Sequence, residues 1–427
     1  MVRVPDLLRK GPFQRYWIGQ SVSQIGDEVS RVVIPLAAVL LLQADAADMG
    51  WLTAAALLPA LLFSMPFGAW ADGRASRRRV MIGADLGRFL AMISLPLAYY
   101  LDVLTLAHLY VTVFVIGTLD VLFDVCDNTL YASIVPADRY VLGSSLVNGS
   151  RALAVVSGPG IGGFLVQLVA APLAMLLDAV SYLVSAGFLS RISTAEPRPA
   201  PREKGHFTAG VTWIARTPTV RSLLAAVATM NFFNFVFHAL FTLYVTRELG
   251  LSAGTLGLII GCAAIGGLAG AVFAGDVVAR FGIGPALALG FLGYTLPLVL
   301  VPAAGGPQPV VIAMLFLAQS VSSCGVMILD ISSNAFKTAL IPDPLRARVS
   351  GAWQTTNYGV RPLGAIAGGL LGTVIGLRPS LWIATVGAVL GILWLLASPL
   401  VRTREISTAA SEPEPARPAA DAADHRA

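Results

Sequence analysis

Apolar runs of about twenty residues recur along almost the whole chain, and each is long enough to cross a hydrocarbon core of about 30 Å as a helix. Only helices and closed barrels satisfy every backbone hydrogen bond within lipid, and these runs lack the alternation of apolar and polar residues that barrel strands need. Charged residues make up 12% of the 427 residues, whereas soluble domains carry about 25%. The sequence therefore predicts an all-α integral membrane protein with twelve transmembrane helices.

The remaining composition excludes several classes of protein. The three cysteines lie far apart inside apolar segments, so the sequence predicts neither a disulfide framework nor a metal site. It contains no nucleotide-binding loop and no convincing nucleophile set, so we expect no enzymatic activity and no cofactor. The formal charge of +5 comes from basic residues in short loops between apolar segments. That placement indicates membrane topology and argues against a nucleic-acid partner.

The chain repeats itself at an offset of 206 residues. DVCDNTLYASIVP begins at Asp124 and DISSNAFKTALIP begins at Asp330, and the same offset aligns glycines of the fifth and eleventh apolar segments. Such duplication is typical of transporters, whose two bundles rock about a central site. The predicted organisation is an N-terminal six-helix bundle, a cytoplasmic linker with a short interfacial helix, a C-terminal six-helix bundle and a disordered cytoplasmic tail, over residues 1–190, 191–221, 222–404 and 405–427.

Lysine and arginine residues are distributed unequally between the two sides of the membrane. If the basic N-terminus is cytoplasmic, the opposite side holds only Arg247 and Arg378. Because positively charged loops stay in the cytoplasm, we expect a multi-pass protein of the cytoplasmic (inner) membrane with both termini inside. In the linker, Phe207, Val211 and Ile214 recur at helical spacing, which predicts a short helix lying on the cytoplasmic membrane surface.

The loop between the second and third apolar segments reads GAWADGRASRRR from Gly68. It resembles the loop signature of the major facilitator superfamily, although Gly73 and Ala75 depart from the usual pattern. The resemblance implies a major facilitator fold of two pseudo-symmetric six-helix bundles and a loop that steadies the outward-open state. A simple positive-inside anchor is the alternative interpretation. The residues concerned are Gly68, Asp72, Arg77 and Arg78.

The fifth apolar segment carries SGPGIGG. It resembles a glycine and proline motif associated with exporters and antiporters in the same superfamily. Glycines allow helices to pack closely, and a proline removes a backbone hydrogen bond so that a helix can bend. An ordinary small-residue helix contact would have the same pattern. The motif residues are Gly158, Pro159, Gly162 and Gly163.

Other segments narrow the resemblance to one branch. SQIGDEVSRVVIPL, LLDAVSYLVSA and GVTWIARTPTVRSLL look like the branch of enterobactin-type siderophore exporters and macrolide or drug efflux proteins, over roughly residues 10–402. This resemblance implies efflux of a small molecule across the cell membrane.

Acidic residues lie on one face of the fourth apolar segment, where Asp120, Asp124 and Asp127 follow the i, i+4, i+7 spacing of a helix. Ionisable residues within a membrane are costly and usually functional. Closely spaced carboxylates take up protons more readily than isolated ones, which favours a proton-coupling site that also includes Asp27 and Glu28. Structural ion pairs are the alternative, and a purely structural role is favoured more for Asp85, near Arg88, and for Asp178, near a helix start, than for the other acids. The proposed charge partners are Arg31, Arg151 and Arg361.

The resemblance also places a central cavity between helices 1, 4, 7 and 10, and each of these segments has a polar stripe. For His238, a hydrogen-bonded packing role is as consistent with the sequence as a contact with substrate or proton. The predicted cavity residues are Gln20, Gln24, Tyr131, Asn231, Asn234, His238, Gln319, Asp330 and Asn334.

The function that follows is secondary active transport by alternating access. We expect a proton-coupled exporter, an antiporter, of a small amphipathic compound such as a drug or a siderophore, in which protonation of Asp124 or Asp127 alternates with substrate binding. A proton symporter or uniporter that imports a nutrient is the alternative, and a membrane receptor without flux is a further one. The expected partners are a small-molecule substrate, protons and the lipid bilayer, and the expected state is a monomer.

Overall fold

The computed structural model describes residues 6–9, 11–72, 76–193, 207–342 and 345–402, and these residues form helices and no strand. Two of the α-helices continue into a turn of another helical type. A 3₁₀ turn, Pro297–Val299, joins α10 to α11, and a π-helical turn, Tyr244–Glu248, extends α8. In chain order α1 to α15 are Pro12–Leu40, Ala46–Asp72, Arg77–Tyr100, Leu106–Ile134, Tyr140–Val169, Ala171–Ser190, Phe207–Arg216, Pro218–Leu243, Ala253–Phe281, Ile283–Thr295, Leu300–Ala303, Gln308–Leu340, Arg346–Ile375, Leu377–Leu390 and Ile392–Leu396.

Eleven segments of the described residues are long and apolar enough to cross a membrane, with α10 and α11, and likewise α14 and α15, counted as one segment each. The twelfth long helix is α1, whose 29 residues span about 43 Å at 1.5 Å per residue. Unlike the other eleven, it has no stretch of 18 residues with two or fewer charged side chains, because Asp27, Glu28 and Arg31 lie near its middle. They face the cavity described below, where charge is tolerated. The prediction of an all-α membrane fold is confirmed.

The duplication found in the sequence extends to the helix boundaries. Helices α1, α3, α5 and α6 begin at residues 12, 77, 140 and 171, and α8, α10, α13 and α14 begin at residues 218, 283, 346 and 377, each 206 residues later. Both bundles open with a proline at the first helical position, Pro12 and Pro218, where a fixed φ suits the helix and no intrahelical donor is lost. The two halves therefore share one helix plan.

Buried apolar residues form a common core at one end of the bundle and separate cores at the other. At the far side, where α1 ends and α2 begins, a single cluster joins Leu36 and Met49 of the N-terminal half to Phe237 and Leu256 of the C-terminal half. At the terminal side, where α1 begins and α15 ends, each half has a cluster of its own. The halves therefore share a buried core at the far side, whereas no buried apolar cluster of the described residues joins them at the terminal side.

The short helix α7 packs on the C-terminal bundle. Ile214 belongs to the same buried cluster as Val349 of α13, and a Cβ on Gly210 would lie 2.3 Å from the carbonyl oxygen of Arg348. The short helix predicted for the linker is present, and part of its apolar side packs against α13, whereas Val211 is 48% exposed. Its expected position on the membrane surface stays a prediction. The side chain of Phe207 lies outside the described residues.

The predicted domain bounds meet the structure only in part. The first helix of the C-terminal half begins at Pro218, four residues before the predicted bound of 222. Residues 194–206 of the predicted linker and the predicted tail, 405–427, lie outside the described residues. The expected disorder of that tail therefore stays a prediction.

Candidate transport site

A cavity of about 710 Å³ lies against the N-terminal half, and every residue that lines it belongs to α1–α6. Its lining begins near the terminal side, at Tyr16, Tyr131 and Ser144, and reaches Ile34 and Leu52 beneath the common core. Tyr16 and Ile34 are eighteen residues apart on α1, which corresponds to about 27 Å along the helix. A cavity of this volume is large enough for a drug-sized molecule.

The acidic face of α4 points into this cavity, as the sequence predicts. Asp127 accepts hydrogen bonds from the hydroxyl of Tyr16 at 3.0 Å and from Nε2 of Gln20 at 3.1 Å. Asp124 is exposed to the cavity and makes no hydrogen bond or ion pair within the part of the chain that the structure describes. Asp120 has a side chain that is 42% exposed and an ion pair with Arg88. The three carboxylates thus share a face and differ in their partners.

Arg88 of α3 is a buried cation that holds two carboxylates. Its Nη1 lies 2.8 Å from Oδ1 of Asp120, and its Nη2 forms an ion pair with Asp85 one helical turn earlier. The guanidinium carbon lies 4.4 Å from the ring centroid of Phe123 and 4.7 Å from that of Tyr182. Sequence reasoning assigned Arg88 to a local pair with Asp85 and did not predict its contact with Asp120.

Two further carboxylates lie where α1 and α6 meet. The hydroxyl of Tyr182 donates to Oδ1 of Asp27 at 2.7 Å. Ser30 and Ser181 donate to Asp178, which is fully buried. The expectation that Asp178 is near a helix start is wrong, because α6 begins at Ala171 and Asp178 lies two turns inside it. Its hydroxyl partners replace part of the hydration that burial removes.

Glu28 and Arg31 form an ion pair of 3.1 Å along α1, as predicted for Arg31 as a charge partner. The Glu28 side chain is buried, whereas the Arg31 side chain is 67% exposed toward the cavity. Arg151 of α5 also lines the cavity and forms no ion pair among the described residues. Arg361 of α13 lies in the other half, with its guanidinium carbon 5.4 Å from the ring centroid of Phe235, and is not part of the cavity lining.

The predicted cavity residues divide between the two halves. Gln20, Gln24 and Tyr131 line the cavity, and Tyr131 donates a hydrogen bond of 2.8 Å to the carbonyl of Tyr140. The candidates in the C-terminal half all lie on α8 or α12, whereas the lining that the described residues form comes from α1–α6. None of them therefore lines this cavity. They are Asn231, Asn234, His238, Gln319, Asp330 and Asn334.

These C-terminal candidates have surroundings of their own. Asn231 donates to the Val227 carbonyl at 3.0 Å and to Oδ1 of Asn357 at 3.3 Å. The ring of His238 lies 5.8 Å from that of Phe237. Asn234 and Gln319 are buried, whereas Asp330 and Asn334 are exposed. In this structure the two halves therefore contribute unequally to the site.

The glycine and proline motif of α5 packs closely against two other helices. A Cβ on Gly158 would lie 2.4 Å from the Cβ of Glu28, and one on Gly162 would lie 2.8 Å from the carbonyl oxygen of Val29, both on α1. A Cβ on Gly163 would lie 2.3 Å from the carbonyl oxygen of Ala253, on α9 in the other half. The close packing expected of these glycines is thus present, and it reaches across the interface between halves.

The loop after α2 has fewer described contacts. A Cβ on Gly68 would meet nothing within 4 Å, so the glycine is not required for close approach in this conformation. Arg77 is buried and donates from Nε to the Ala71 carbonyl at 3.3 Å, and Arg78 donates to the carbonyl of Ser190 at 3.2 Å. The side chain of Asp72 lies outside the described residues, so its expected role stays a prediction.

Several lining residues were not singled out from the sequence. They include Thr53 of α2, Ser144 and Asn148 of α5, and the pair Phe123 and Tyr182 around Arg88. Asn148 and Arg151 stand one turn apart on α5, a spacing that would have marked the face if α5 had been taken as a wall of the cavity. The described residues contain no group of three or more His, Cys, Asp or Glu side chains placed to hold a metal ion.

The sequence profile of the Major Facilitator Superfamily matches residues 16–359, and a second match covers residues 222–424. The chain belongs to the Major Facilitator Superfamily. It is also similar to the uncharacterized MFS-type transporter YkuC of Bacillus subtilis (strain 168), with 26% identity over 206 residues, which is 48% of this chain and 46% of the relative. The match thus spans about half the length of that relative. This superfamily member is a multi-pass membrane transporter and not an enzyme.

Solved structures share its fold over nearly the whole chain. A bacterial homologue of the iron transporter ferroportin in the inward-facing state has a TM-score of 0.74 at 18% identity and covers 92% of this chain and 99% of its own. A bacterial homologue of the human lysosomal transporter Spinster, inward-facing and unoccupied, has a TM-score of 0.70 at 15% identity, with 92% and 97% covered. The nucleoside transporter NupG has a TM-score of 0.73 at 13% identity, with 91% and 99% covered. At these identities the likeness concerns the major facilitator fold alone.

Proposed function

We propose that this superfamily member is a proton-coupled antiporter that exports a small amphipathic organic cation. The observation that carries the proposal is the charge of the cavity. Six carboxylates line it, against three guanidinium groups. Each charge placed in a membrane helix costs roughly 2.5 to 3.5 kcal/mol on insertion scales, so an acidic excess of this size points to cationic cargo, protons included.

The partners of the cavity arginines favour a cationic substrate over an anionic one. Arg88 is held by Asp85 and Asp120, and Arg31 is held by Glu28, which leaves Arg151 as the cavity arginine without a described ion pair. Asp124 is exposed and without a described partner, so it is available to a cationic group. Tyrosine rings in the lining offer apolar faces and cation–π contacts to the rest of such a molecule. Among efflux substrates, a drug-like amine therefore suits the cavity better than an anionic catecholate siderophore.

The shared core at the far side and the separate cores at the terminal side suit one state of an alternating-access cycle. If the terminal side is cytoplasmic, as the distribution of basic residues indicates, substrate enters the cavity from the cytoplasm. Rocking of the halves then exposes the cavity to the far side, where proton uptake by the α4 carboxylates favours release of the cation. The proton leaves on the terminal side after the return step.

Reconstitution into proteoliposomes tests the proposal. The probe is ethidium, a fluorescent amphipathic cation, with a pH-sensitive dye enclosed in the same liposomes. We expect an imposed pH gradient to drive ethidium opposite to the proton flow, and the sign of this coupling does not depend on how the protein is oriented. A variant that combines Asp120→Asn, Asp124→Asn and Asp127→Asn should lose pH-driven ethidium movement.

The matched control is Asp102→Asn in the loop between α3 and α4. Asp102 has a φ of 56°, a backbone region that asparagine tolerates as well as aspartate, and it lies outside the cavity. We expect it to transport like the wild type. If ethidium and protons move in the same direction, the protein is a symporter and the proposed antiport is wrong. If ethidium movement by the wild type does not depend on the pH gradient, proton coupling is refuted.

A further inference from the structure

We infer that the coupled proton binds at Asp120 and that Arg88, anchored by Asp85, is the positioning residue that sets when Asp120 gives up this proton. This inference rests on the proposed proton-coupled transport and assigns its proton to one of the α4 carboxylates. Asp120 is the carboxylate of that face with an ion pair to a buried guanidinium in the described residues.

The charge balance around Arg88 is incomplete. One guanidinium serves two carboxylates, so the group of Asp85, Arg88 and Asp120 carries one net negative charge when both acids are ionised. Asp85 is fully buried, and its Oδ2 has no hydrogen-bond partner among the described residues. Buried charge that is left uncompensated is costly. A single proton would complete the balance.

The two carboxylates differ in their access to that proton. Asp85 lies on the same helix as Arg88, three residues earlier, and is shielded from the cavity. Asp120 lies on the neighbouring helix, and its side chain is 42% exposed. Asp120 can therefore exchange a proton with water in the cavity while Asp85 keeps Arg88 in place.

Other charged and titratable groups act on Asp120 from the helices around it. Helix α2 lines the cavity only with uncharged residues among those the structure describes. Arg88 is the cation in direct contact with Asp120, so it dominates the balance. The remaining groups are Asp27 of α1, Asp85 of α3, Asp124 of α4, Arg151 of α5, and Asp178 and Tyr182 of α6.

The second half of the chain shows that this fold does not need the charges. At the offset of 206 residues, the positions of Asp85, Arg88 and Asp120 correspond to residues of α10 and α12. Phe291 is fully buried there, and the three side chains have no formal charge. Because both halves build the same helix plan, the ion group of the first half serves something other than the packing of the bundle. The corresponding residues are Phe291, Tyr294 and Val326.

Proton binding would also change contacts between helices. A proton on Asp120 turns its ionic contact with Arg88 into a weaker one and leaves Arg88 with Asp85. The ring of Tyr182 lies against the same guanidinium, and its hydroxyl bonds to Asp27. Loss of the ionic contact therefore loosens α4 from a group that includes α1, α3 and α6. This is the structural step by which proton binding would favour one state of the carrier.

The first test compares single variants in the ethidium proteoliposomes. Asp120→Asn should reduce pH-driven ethidium movement to the leak of empty liposomes and retain exchange of internal for external ethidium. Asp124→Asn should raise the ethidium concentration at which transport is half-saturated and should leave ethidium movement coupled to protons. Asp102→Asn serves as the matched control. If Asp120→Asn still converts a pH gradient into ethidium movement, the assignment of the proton to Asp120 is wrong.

The second test measures the pH dependence of transport in variants of Arg88, which reports on its positioning role. The double variant Asp85→Asn with Arg88→Met removes a cation and an anion together, so it leaves no new uncompensated charge. The pH at which transport is half-maximal should rise by about one unit or more, because a cation in contact with Asp120 no longer favours its ionised form. Arg88→Lys should keep the profile near that of the wild type. An unchanged profile in the double variant would leave Arg88 with a structural role alone.

Infrared titration of the purified protein separates this inference from the proposed function, because it needs no transport. The band of the protonated carboxyl group should titrate in the wild type, disappear in Asp120→Asn and move to higher pH in the double variant. A wild type that transports with proton coupling while Asp120→Asn keeps the titrating band would overturn the inference alone. A wild type without coupled transport would overturn the proposed function, and the band would still report whether Asp120 binds a proton.

Discussion

The close packing of α5 against α9 predicts that one added methyl group at this interface shifts the equilibrium between the two states of the carrier. A Cβ on Gly163 would lie 2.3 Å from the carbonyl oxygen of Ala253 and 3.0 Å from the Cα of Gly257. In return, a Cβ on Gly257 would lie 2.3 Å from the carbonyl oxygen of Pro159. All three atoms that an added Cβ would contact belong to the backbone, which has no rotamer with which to move aside.

The magnitude follows from this overlap. Ordinary contacts of a Cβ begin at 3.4 Å, so Gly163→Ala requires the two helices to separate by about 1 Å at the far side. Overpacking of this kind costs about 1–3 kcal/mol. We expect this contact to separate when the far side opens, in which case the closed state alone bears the cost. The equilibrium should therefore shift toward the far-open state by roughly 5- to 150-fold.

Distances between spin labels on the two halves measure this shift. One pair, Val103→Cys with Gly305→Cys, reports on the far-side loops, and a second pair, Val141→Cys with Phe281→Cys, reports on the terminal ends of α5 and α9. The three native cysteines are replaced by alanine in this background. With Gly163→Ala, the far-side distance should lengthen and the terminal-side distance should shorten in the same sample.

Gly149→Ala is the matched control, because Gly149 belongs to the same helix and its added Cβ would meet nothing within 4 Å. It should leave both distance distributions unchanged. If Gly163→Ala also leaves both unchanged, the contact between α5 and α9 does not distinguish the two states. Broadening of both distributions without opposite shifts would indicate local unfolding and would equally refute the reasoning.

Three further variants test individual contacts. Arg88→Met alone leaves Asp85 buried without its cation, so the free energy of unfolding in detergent should fall by about 3–5 kcal/mol and recover when Asp85→Asn is added. Tyr16→Phe removes a hydrogen bond to a carboxylate and should cost about 1.5–3 kcal/mol in the same unfolding assay. Gly210→Val places side-chain atoms against the carbonyl of Arg348, and amide hydrogen exchange in α7 should become faster than in the wild type.

Much of the fold is predictable from the sequence because a membrane helix can be recognised from its own residues alone. Apolar length marks each span, and the repeat at 206 residues ties the two halves together without any knowledge of their packing. The acidic face of α4 is equally local, since Asp120, Asp124 and Asp127 share it by helical geometry alone. These predictions need only the period of one helix and the thickness of a bilayer.

The partners within the site depend on how helices are rotated and shifted against one another, and a single sequence does not contain that information. The ion pair between Asp120 and Arg88 depends on the relative position of α3 and α4. The sequence alone indicated only the pair of Arg88 with its local neighbour Asp85. Tyr182 was likewise overlooked, since its contact with Asp27 joins residues 155 positions apart. The expectation for Gly68 also depends on helix packing, and in the described conformation an added Cβ there would meet nothing within 4 Å.

The two halves have kept the same packing and have diverged in chemistry. A Cβ on Gly163 would lie 2.3 Å from the carbonyl oxygen of Ala253 and 3.0 Å from the Cα of Gly257 across one interface between the halves. A Cβ on Gly369, its counterpart, would lie 2.8 Å from the carbonyl oxygen of Ala46 and 3.0 Å from the Cα of Gly50 across the other. The charged groups of the cavity all line it from α1–α6, and at the offset of 206 residues only Asp124 has a charged counterpart, Asp330, which lies outside the lining. Rocking needs two matched interfaces, and a proton site needs only one set of carboxylates. A duplicated carrier can therefore keep its interfaces between halves symmetric while a single half holds the cavity charges, which is why the repeat predicts the shared helix plan but does not predict which half lines the cavity.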